Sequence, residues 1–328
     1  MEAEALRDMK RTICLVVSGI LLSVTCRGAV PESQAKTLQI PVRWGPVMQS
    51  RTAEENTESR ERYVERTWSL AVNQTALILV DVWDKHSNRS HMDRALQNVN
   101  TCIAPLLRAA RDAGLLVIHA PSPEIAVRYP QWQRYAGDAG RETATERLLR
   151  QTFRDALQAS GLPAGIQPIV DSIPPAVRAM AQPDPDWPPP DFKKRTGAYT
   201  QYARERPESW REEGRSRDIP KIVQPRPDEF VIASGDQLHR LLQDKKILHL
   251  LYVGFATNKC VQNSRDYSME QMGRRGYNCI LVRDCTTGIE NAYTVEGLWL
   301  TKVAMQQIEK AHASALSTDL LKAFAAGR

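Results

Sequence analysis

The apolar positions of this chain fall into short solid runs separated by stretches of helical spacing. Ala76 to Val80 (ALILV) is continuous and ends in Asp81, and Leu115 to Ala120 (LLVIHA) repeats the pattern. Solid runs of this length suit strands covered on both faces, as in a parallel sheet. Between them, Leu96 to Ala113 sets Val99, Ile103, Leu106, Leu107 and Ala110 on one helical face, and Gly114 closes the helix. Strand, helix, strand in this order is a βαβ unit. The regularity resumes at Phe230 to Ala233, with a helix around Asp236 to Lys245 and the strand Ile247 to Ala256 (ILHLLYVGFA). It continues through a helix from about Lys259 to Arg274, the strand Asn278 to Val282 and an amphipathic helix over roughly Val295 to Lys310. Alternation of this kind predicts an α/β fold: a three-layer α/β/α arrangement on a mostly parallel, doubly wound sheet with right-handed crossovers.

Two regions depart from the pattern. From Pro121 to about Pro227 the chain is rich in Pro, Arg and Asp, with Trp132, Trp187 and Trp210 scattered through it and a helical stretch at Glu146 to Ala159. It reads as an insertion covering the active edge of the sheet. At the N-terminus, Lys10 and Arg11 precede the apolar run Ile13 to Val24, which stops at Arg27 and is followed by the small residues Gly28 and Ala29. That run is too short for a mature spanning helix and reads as a signal peptide over residues 1–29. An uncleaved anchor and a lipoprotein modified at Cys26 are the alternatives; Thr25 fits the second poorly. Residues 30–70 read as a polar surface arm holding at most one helix, and 71–328 as the main domain. The expected location is secreted or periplasmic, with no integral membrane segment in the mature chain.

Composition narrows the class. With 328 residues the chain can bury a full core, and its net charge of +6 is spread rather than striped. No basic face interleaved with aromatics suggests nucleic-acid binding. Val82 to Ser90 contains no glycine, so the loop after the first core strand cannot cradle a pyrophosphate. Neither a cofactor nor a metal is expected. Outside the leader stand Cys102, Cys260, Cys279 and Cys285. An even number in an exported chain permits disulfides, although Cys102 and Cys279 read as buried apolar fillers. The scattered Trp and Arg of the insertion suit a homo-oligomer interface.

Asp81 ends one strand and Cys260 follows another, so both should reach the carboxyl edge where open α/β sheets bind ligands. A thiol at a helix N-terminus has its pKa lowered, and Asp81 would take its proton. The plainer alternatives are a packed cysteine and a carboxylate satisfied by neighbouring amides. Thr75 to Asp81 (TALILVD), followed far downstream by Val253 to Val261 (VGFATNKCV) and by Gly276-Tyr277 and Ile280 to Asp284, resembles the isochorismatase-like cysteine hydrolases. That superfamily includes nicotinamidases, N-carbamoyl amidohydrolases and isochorismatases. The resemblance covers about 76–120 and 228–320. It implies Cys260 as nucleophile, Asp81 as base, a cis peptide bond at Phe255-Ala256, and a small amide, carbamoyl or vinyl-ether substrate. Trp83 and His86 would shape the substrate pocket with the turn Ala256, Thr257 and Asn258; Asp84, His86 and His91 form a loose metal alternative. The family lysine is missing: its place falls at Ala233 or Ser234. Two acidic groups side by side need a cation. A Lys or Arg from residues 190–226 is expected to supply it, with Lys193, Lys194 and Lys221 among the candidates and His86 next in line. The incomplete triad keeps open a second class, a catalytically silent small-molecule-binding protein on the same fold.

Overall fold

The structure, a computed structural model, describes residues 36–47, 52, 56–132 and 216–326. The chain divides into Met1–Lys36 and Thr37–Arg328, and every element named below belongs to the second unit. The leader, most of the insertion and its helical stretch at Glu146 to Ala159 lie outside the described residues.

The apolar runs become the strands expected of them. β3 (Thr75–Val80) lies parallel between β4 (Leu116–Ala120) and β6 (His249–Phe255). The short β5 (Phe230–Val231) extends the sheet beyond β4, and β7 (Asn278–Thr287) and β8 (Ala313–Ala315) extend it beyond β6. Successive residues of β3 point to opposite faces. Leu77 and Leu79 join one core cluster and Ala76, Ile78 and Val80 the other. The first face is covered by α1 (Arg89–Asn98), which runs through a π-helical turn (Val99–Ile103) into α2 (Ala104–Asp112), and by the C-terminal helix Ser317–Ala326. The second is covered by α3 (Gly235–Lys245), α4 (Met269–Arg274) and α5 (Trp299–Ala311). Among the described residues no helix is long and apolar enough to cross a membrane.

One stretch differs from its expected form. Residues 37–71 are not a surface arm: β1 (Thr37–Val47) and β2 (Arg62–Ala71) form an antiparallel pair that joins the sheet through Arg43 beside Ser314 of β8. The strand order is β2-β1-β8-β7-β6-β3-β4-β5. The reason is the period-two run Leu38, Ile40, Val42, which buries every second side chain between polar neighbours.

After β4 the chain moves outward to β5 and then returns across β3 to β6, so the strand order reverses between β3 and β6. In open α/β sheets ligands bind at such a reversal, at the carboxyl ends of the strands. Val80 pairs with Gly254 there. Gly254 has φ +115, and a Cβ at this position would lie 1.9 Å from the Val80 carbonyl oxygen. Only glycine lets the two strand ends approach this closely.

The outer side of the sheet is fastened by a buried charge cluster. Glu229 accepts from Arg111 Nε at 2.6 Å, Arg111 Nη2 at 2.9 Å, His119 Nε2 at 2.9 Å and the Arg226 backbone N–H at 2.9 Å. Burial would raise the Glu229 pKa, but these donors overcome it and hold it at about 2. Burial also lowers the His119 pKa, so the neutral ring donates. A carboxyl depressed below its unfolded value stabilises the fold above pH 4.5, and that contribution is lost as pH falls toward about 2. The depression corresponds to about 3 kcal/mol. Glu229→Gln should therefore lower the denaturant midpoint at pH 7 and shrink its fall between pH 5 and about 2.5. Equal acid sensitivity in variant and parent would remove Glu229 as the cause.

Candidate active site

Asp81 follows β3 and is fully buried. Its φ of 43 lies in the left-handed region, and its N–H donates to the Ala120 carbonyl at 3.0 Å. Aspartate is among the few residue types that tolerate this conformation. Ser122, just past β4, donates to Asp81 Oδ1 at 2.8 Å. Arg265 donates to Asp81 Oδ2 through Nε at 3.1 Å and Nη2 at 3.0 Å, and through Nη2 to Ser122 Oγ at 2.7 Å.

Cys260 lies in a five-residue π-helical turn (Thr257–Val261) after β6, half-buried. Its thiol is close enough to Asp81 and Arg265 for both charges to act on it. Asp81 and Cys260, distant in sequence, are thus brought together. The expected depression of the thiol pKa is corrected: burial, and then the neighbouring Asp81 carboxylate, push it up to about 12. The helix assumed to lower it does not exist, because the turn ends at Val261 and α4 begins only at Met269.

The same break supplies the missing cation. Among the described residues, the positive charge beside Asp81 is that of Arg265. Of the basic residues expected from the insertion, Lys221 is exposed and Arg217 sits with its Cζ 4.8 Å over the Trp83 ring; residues 190–215 lie outside the described residues. Three contacts fix the segment that carries Arg265. Arg265 itself binds Asp81, Asp266 Oδ2 accepts from the Gly235 N–H at 2.8 Å, and the Tyr267 hydroxyl donates to the Pro121 carbonyl at 3.0 Å. At the place expected for a lysine, Ser234 Oγ caps α3 by accepting from Gln237 N–H, and a Cβ on Gly235 would lie 2.2 Å from the Asp266 carbonyl oxygen. Burial works against the Arg265 charge, yet Asp81 holds its pKa above the ordinary value. Arg265 was hidden because the residues from 259 to 274 read as one helix; Ser122 was legible as the second residue past a core strand.

The peptide bond at Phe255-Ala256 is cis, as the resemblance implied. The Ala256 carbonyl accepts from the Lys259 and Val261 N–H groups. Two of the three turn residues expected to bind substrate have side chains engaged within the protein. Thr257 Oγ1 hydrogen-bonds Thr286 Oγ1 at 2.7 Å, and the Asn258 amide clasps the backbone N–H and carbonyl of Ile289 at 3.0 Å each. Their backbone remains for a substrate; their side chains hold the turn.

Trp83 is buried and stacks on His86, ring centroids 5.2 Å apart; His86 meets His91 edge-on at 5.0 Å, and His91 meets Phe255 at 6.2 Å. Asp84 is tied to Asp218 by two hydrogen bonds, and His86 Nδ1 accepts from the Asn88 N–H. His91 Nδ1 lies 3.0 Å from the Gly288 carbonyl, which can only accept, so Nδ1 carries the proton. Burial lowers the His91 pKa to about 4, so the ring is neutral. Its Nε2 and the Trp83 Nε1–H are buried without a hydrogen-bond partner among the described residues. An acceptor and a donor thus stand in the aromatic cluster that follows Asp81.

Three solved structures can be set beside this one. A cysteine hydrolase from Pseudomonas syringae pv. phaseolicola 1448A is 14% identical, with 80% of this chain and 97% of that chain covered and a TM-score of 0.42. An isochorismatase from Pseudomonas putida KT2440 is 17% identical over 75% and 90% of the two chains, with a TM-score of 0.39. An N-carbamoylsarcosine amidase from Thermoplasma acidophilum is 13% identical over 74% and 96%, with a TM-score of 0.38. None of the curated proteins compared with the chain matches it. Residues 163–321 match the family model of the isochorismatase domain, a stretch that holds the Cys260 turn and Arg265 while Asp81 lies upstream of it. That stretch is a little under half of the chain, and over it the chain is similar to the isochorismatase family.

Proposed function

We propose that the protein is a cysteine-dependent hydrolase of a small amide, carbamoyl or vinyl-ether substrate, with Cys260 as nucleophile, Asp81 as general base and Arg265 as a fixed positive charge. The observation that carries this reading is the Asp81–Arg265 ion pair, with Cys260 within reach of both charges, at the point where strand order reverses. A thiol pushed up to about 12 is neutral at rest, so attack and proton transfer are coupled. On an amide, the sulfur bonds to the carbonyl carbon as the thiol proton passes to the Asp81 carboxylate. The tetrahedral adduct collapses, and the leaving nitrogen takes that proton. Water, deprotonated by Asp81, then hydrolyses the thioester and returns the proton to sulfur, releasing the acid. Arg265 cannot serve as the base, because a guanidinium does not deprotonate. Its role is to hold Asp81 in place and set a fixed positive charge beside it. Backbone N–H groups of the turn at Ala256, Thr257 and Asn258 face the developing oxyanion. Trp83 and His86 line the substrate pocket, and the neutral acceptor of His91 suits a substrate that carries a hydroxyl or amide donor.

The raised thiol pKa and the absent lysine favour one other reading: a catalytically silent protein that binds a small molecule on the same fold. Turnover separates the two. Ammonia release is measured on a panel of primary amides and N-carbamoyl compounds. Cys260→Ala should lose at least about a thousandfold of any activity found, and denaturing the parent during turnover should trap an acyl adduct on Cys260. A Cys260→Ala protein as fast as the parent would defeat the mechanism.

A second test follows from the charges around the thiol. Iodoacetamide labelling of Cys260 should keep rising through pH 10, with no plateau near 8.5, the range of a free thiol. Arg265 lowers the thiol pKa, so Arg265→Leu should slow labelling at every pH and cut kcat by about a hundredfold or more. Arg265→Lys, which keeps the charge, should retain a larger share of both. Unchanged labelling and kcat in Arg265→Leu would exclude Arg265 from the mechanism.

We further propose that the mature chain starts near residues 27–30 and lies outside the cytoplasm, on the strength of the basic start and the apolar run Ile13 to Val24. N-terminal sequencing of protein recovered from its native cells should find that new terminus. An intact Met1 on cytoplasmic protein would refute it.

A further inference from the structure

We propose that the substrate carries a carboxylate, and that Arg94 and Arg217 receive it beside the Trp83–His91 cluster. The inference rests on the hydrolase reading above and adds the chemistry of the part of the substrate that does not react. It starts from a concentration of unmet polar groups. Trp83 Nε1, His91 Nε2, Arg94 Nε and Arg217 Nε are all buried, and none has a hydrogen-bond partner among the described residues. Buried polar groups are normally paired, because leaving one unpaired costs its full desolvation. Four in one place mark a site shaped for a ligand.

Printed contacts join the four. The Arg217 Cζ lies 4.8 Å over the Trp83 ring, and Trp83 meets His91 edge-on with centroids 6.3 Å apart. His91 Nδ1 and Arg94 Nη2 converge on the Gly288 carbonyl, at 3.0 and 3.4 Å. That shared contact leaves His91 Nε2 and Arg94 Nε over. The two residues stand three apart on α1 and so share one face of it. Arg217 arrives from a segment fastened to the loop after Asp81. The Asp84 N–H donates to the Asp218 carbonyl at 2.9 Å, and Asp84 Oδ1 accepts from the Asp218 N–H at 2.7 Å. Both guanidinium charges act on His91 and oppose its protonation. The cluster also adjoins the reacting groups. Trp83 is two residues past Asp81, and His91 meets Phe255 at the cis bond.

The donors and acceptors select the ligand. The indole and the two guanidinium groups can only donate, and His91 Nε2 can only accept. Two of the donors are cations, and among the described residues neither forms an ion pair. Glu290, whose charge also reaches His91, is engaged by Leu300 and Thr301. A neutral ligand would leave both charges unmatched. A carboxylate supplies acceptors for the donors, and a hydroxyl or N–H beside it meets His91 Nε2.

The test measures binding rather than turnover, so that it can fail separately from the hydrolase reading. Full-length Cys260→Ala is titrated with succinamic acid and N-carbamoylglycine, each beside its methyl ester, and followed by ligand-observed NMR. Each acid should bind at least about tenfold more tightly than its ester. Arg217→Gln and Arg94→Gln should each cut that preference to about threefold or less. Arg217→Lys, which keeps the charge, should retain more of it. Arg217 lies outside helix and strand, so its variants serve even where Arg94→Gln fails to fold. A purely structural role would weaken acid and ester alike and leave their ratio unmoved. Equal binding of acid and ester, no binding of either acid, or an unchanged ratio in Arg217→Gln would each overturn the proposal. Turnover of neutral amides without any preference for acids would overturn it while the hydrolase reading stands. A preference for acids without turnover would do the reverse.

Discussion

A carboxylate buried out of water must be given its charge partners by the protein, and Asp81 is such a group. Much of the local architecture answers that need. Ser122 binds one carboxylate oxygen and Arg265 the other. To deliver Arg265, the chain abandons helix after Val261 and does not resume it until Met269. To seat the segment between, Gly235 admits the Asp266 backbone where any side chain would collide, and Tyr267 ties the segment to the end of β4. The segment that carries Arg265 packs on Gly235, next to the place where a lysine was expected, so the two positions are joined through one contact.

That arrangement also decides what kind of thiol Cys260 is. Burial and the neighbouring carboxylate push its thiol up to about 12. Cys102 lies in the opposite setting, half-buried, with a pKa brought down to about 6 by the Cys285 thiol. The two cysteines differ in neighbours rather than in kind, and their opposite acidities follow from those neighbours.

The parallel core was legible because strands buried on both faces have a distinctive composition. TALILVD and ILHLLYVGFA allow little else, and their ends place Asp81 and Cys260 at one edge. What escaped notice had weaker signals. β1 alternates over only Leu38, Ile40 and Val42, amid residues otherwise polar enough to suggest an arm. Arg265 sits in a stretch whose Val261, Tyr267, Met269 and Met272 imitate a helical face, so the break that turns it toward Asp81 cannot be seen from spacing. All four are nonetheless buried in one cluster, as a helix there would have required. The thiol acidity was misjudged for a related reason, since it was argued from a dipole that needs the same missing helix.

The hairpin of β1 and β2 closes one margin of the sheet. β2, the outermost strand, carries Arg62, Glu65 and Arg66 and leaves most of its length exposed. The opposite margin is β5, only two residues long. An unpaired strand is a template for another strand, and charge on one margin and brevity on the other both blunt it. Neither border invites a second molecule to continue the ladder, so copies of this chain that meet would do so through helices and loops, leaving the eight-stranded sheet a closed unit of construction.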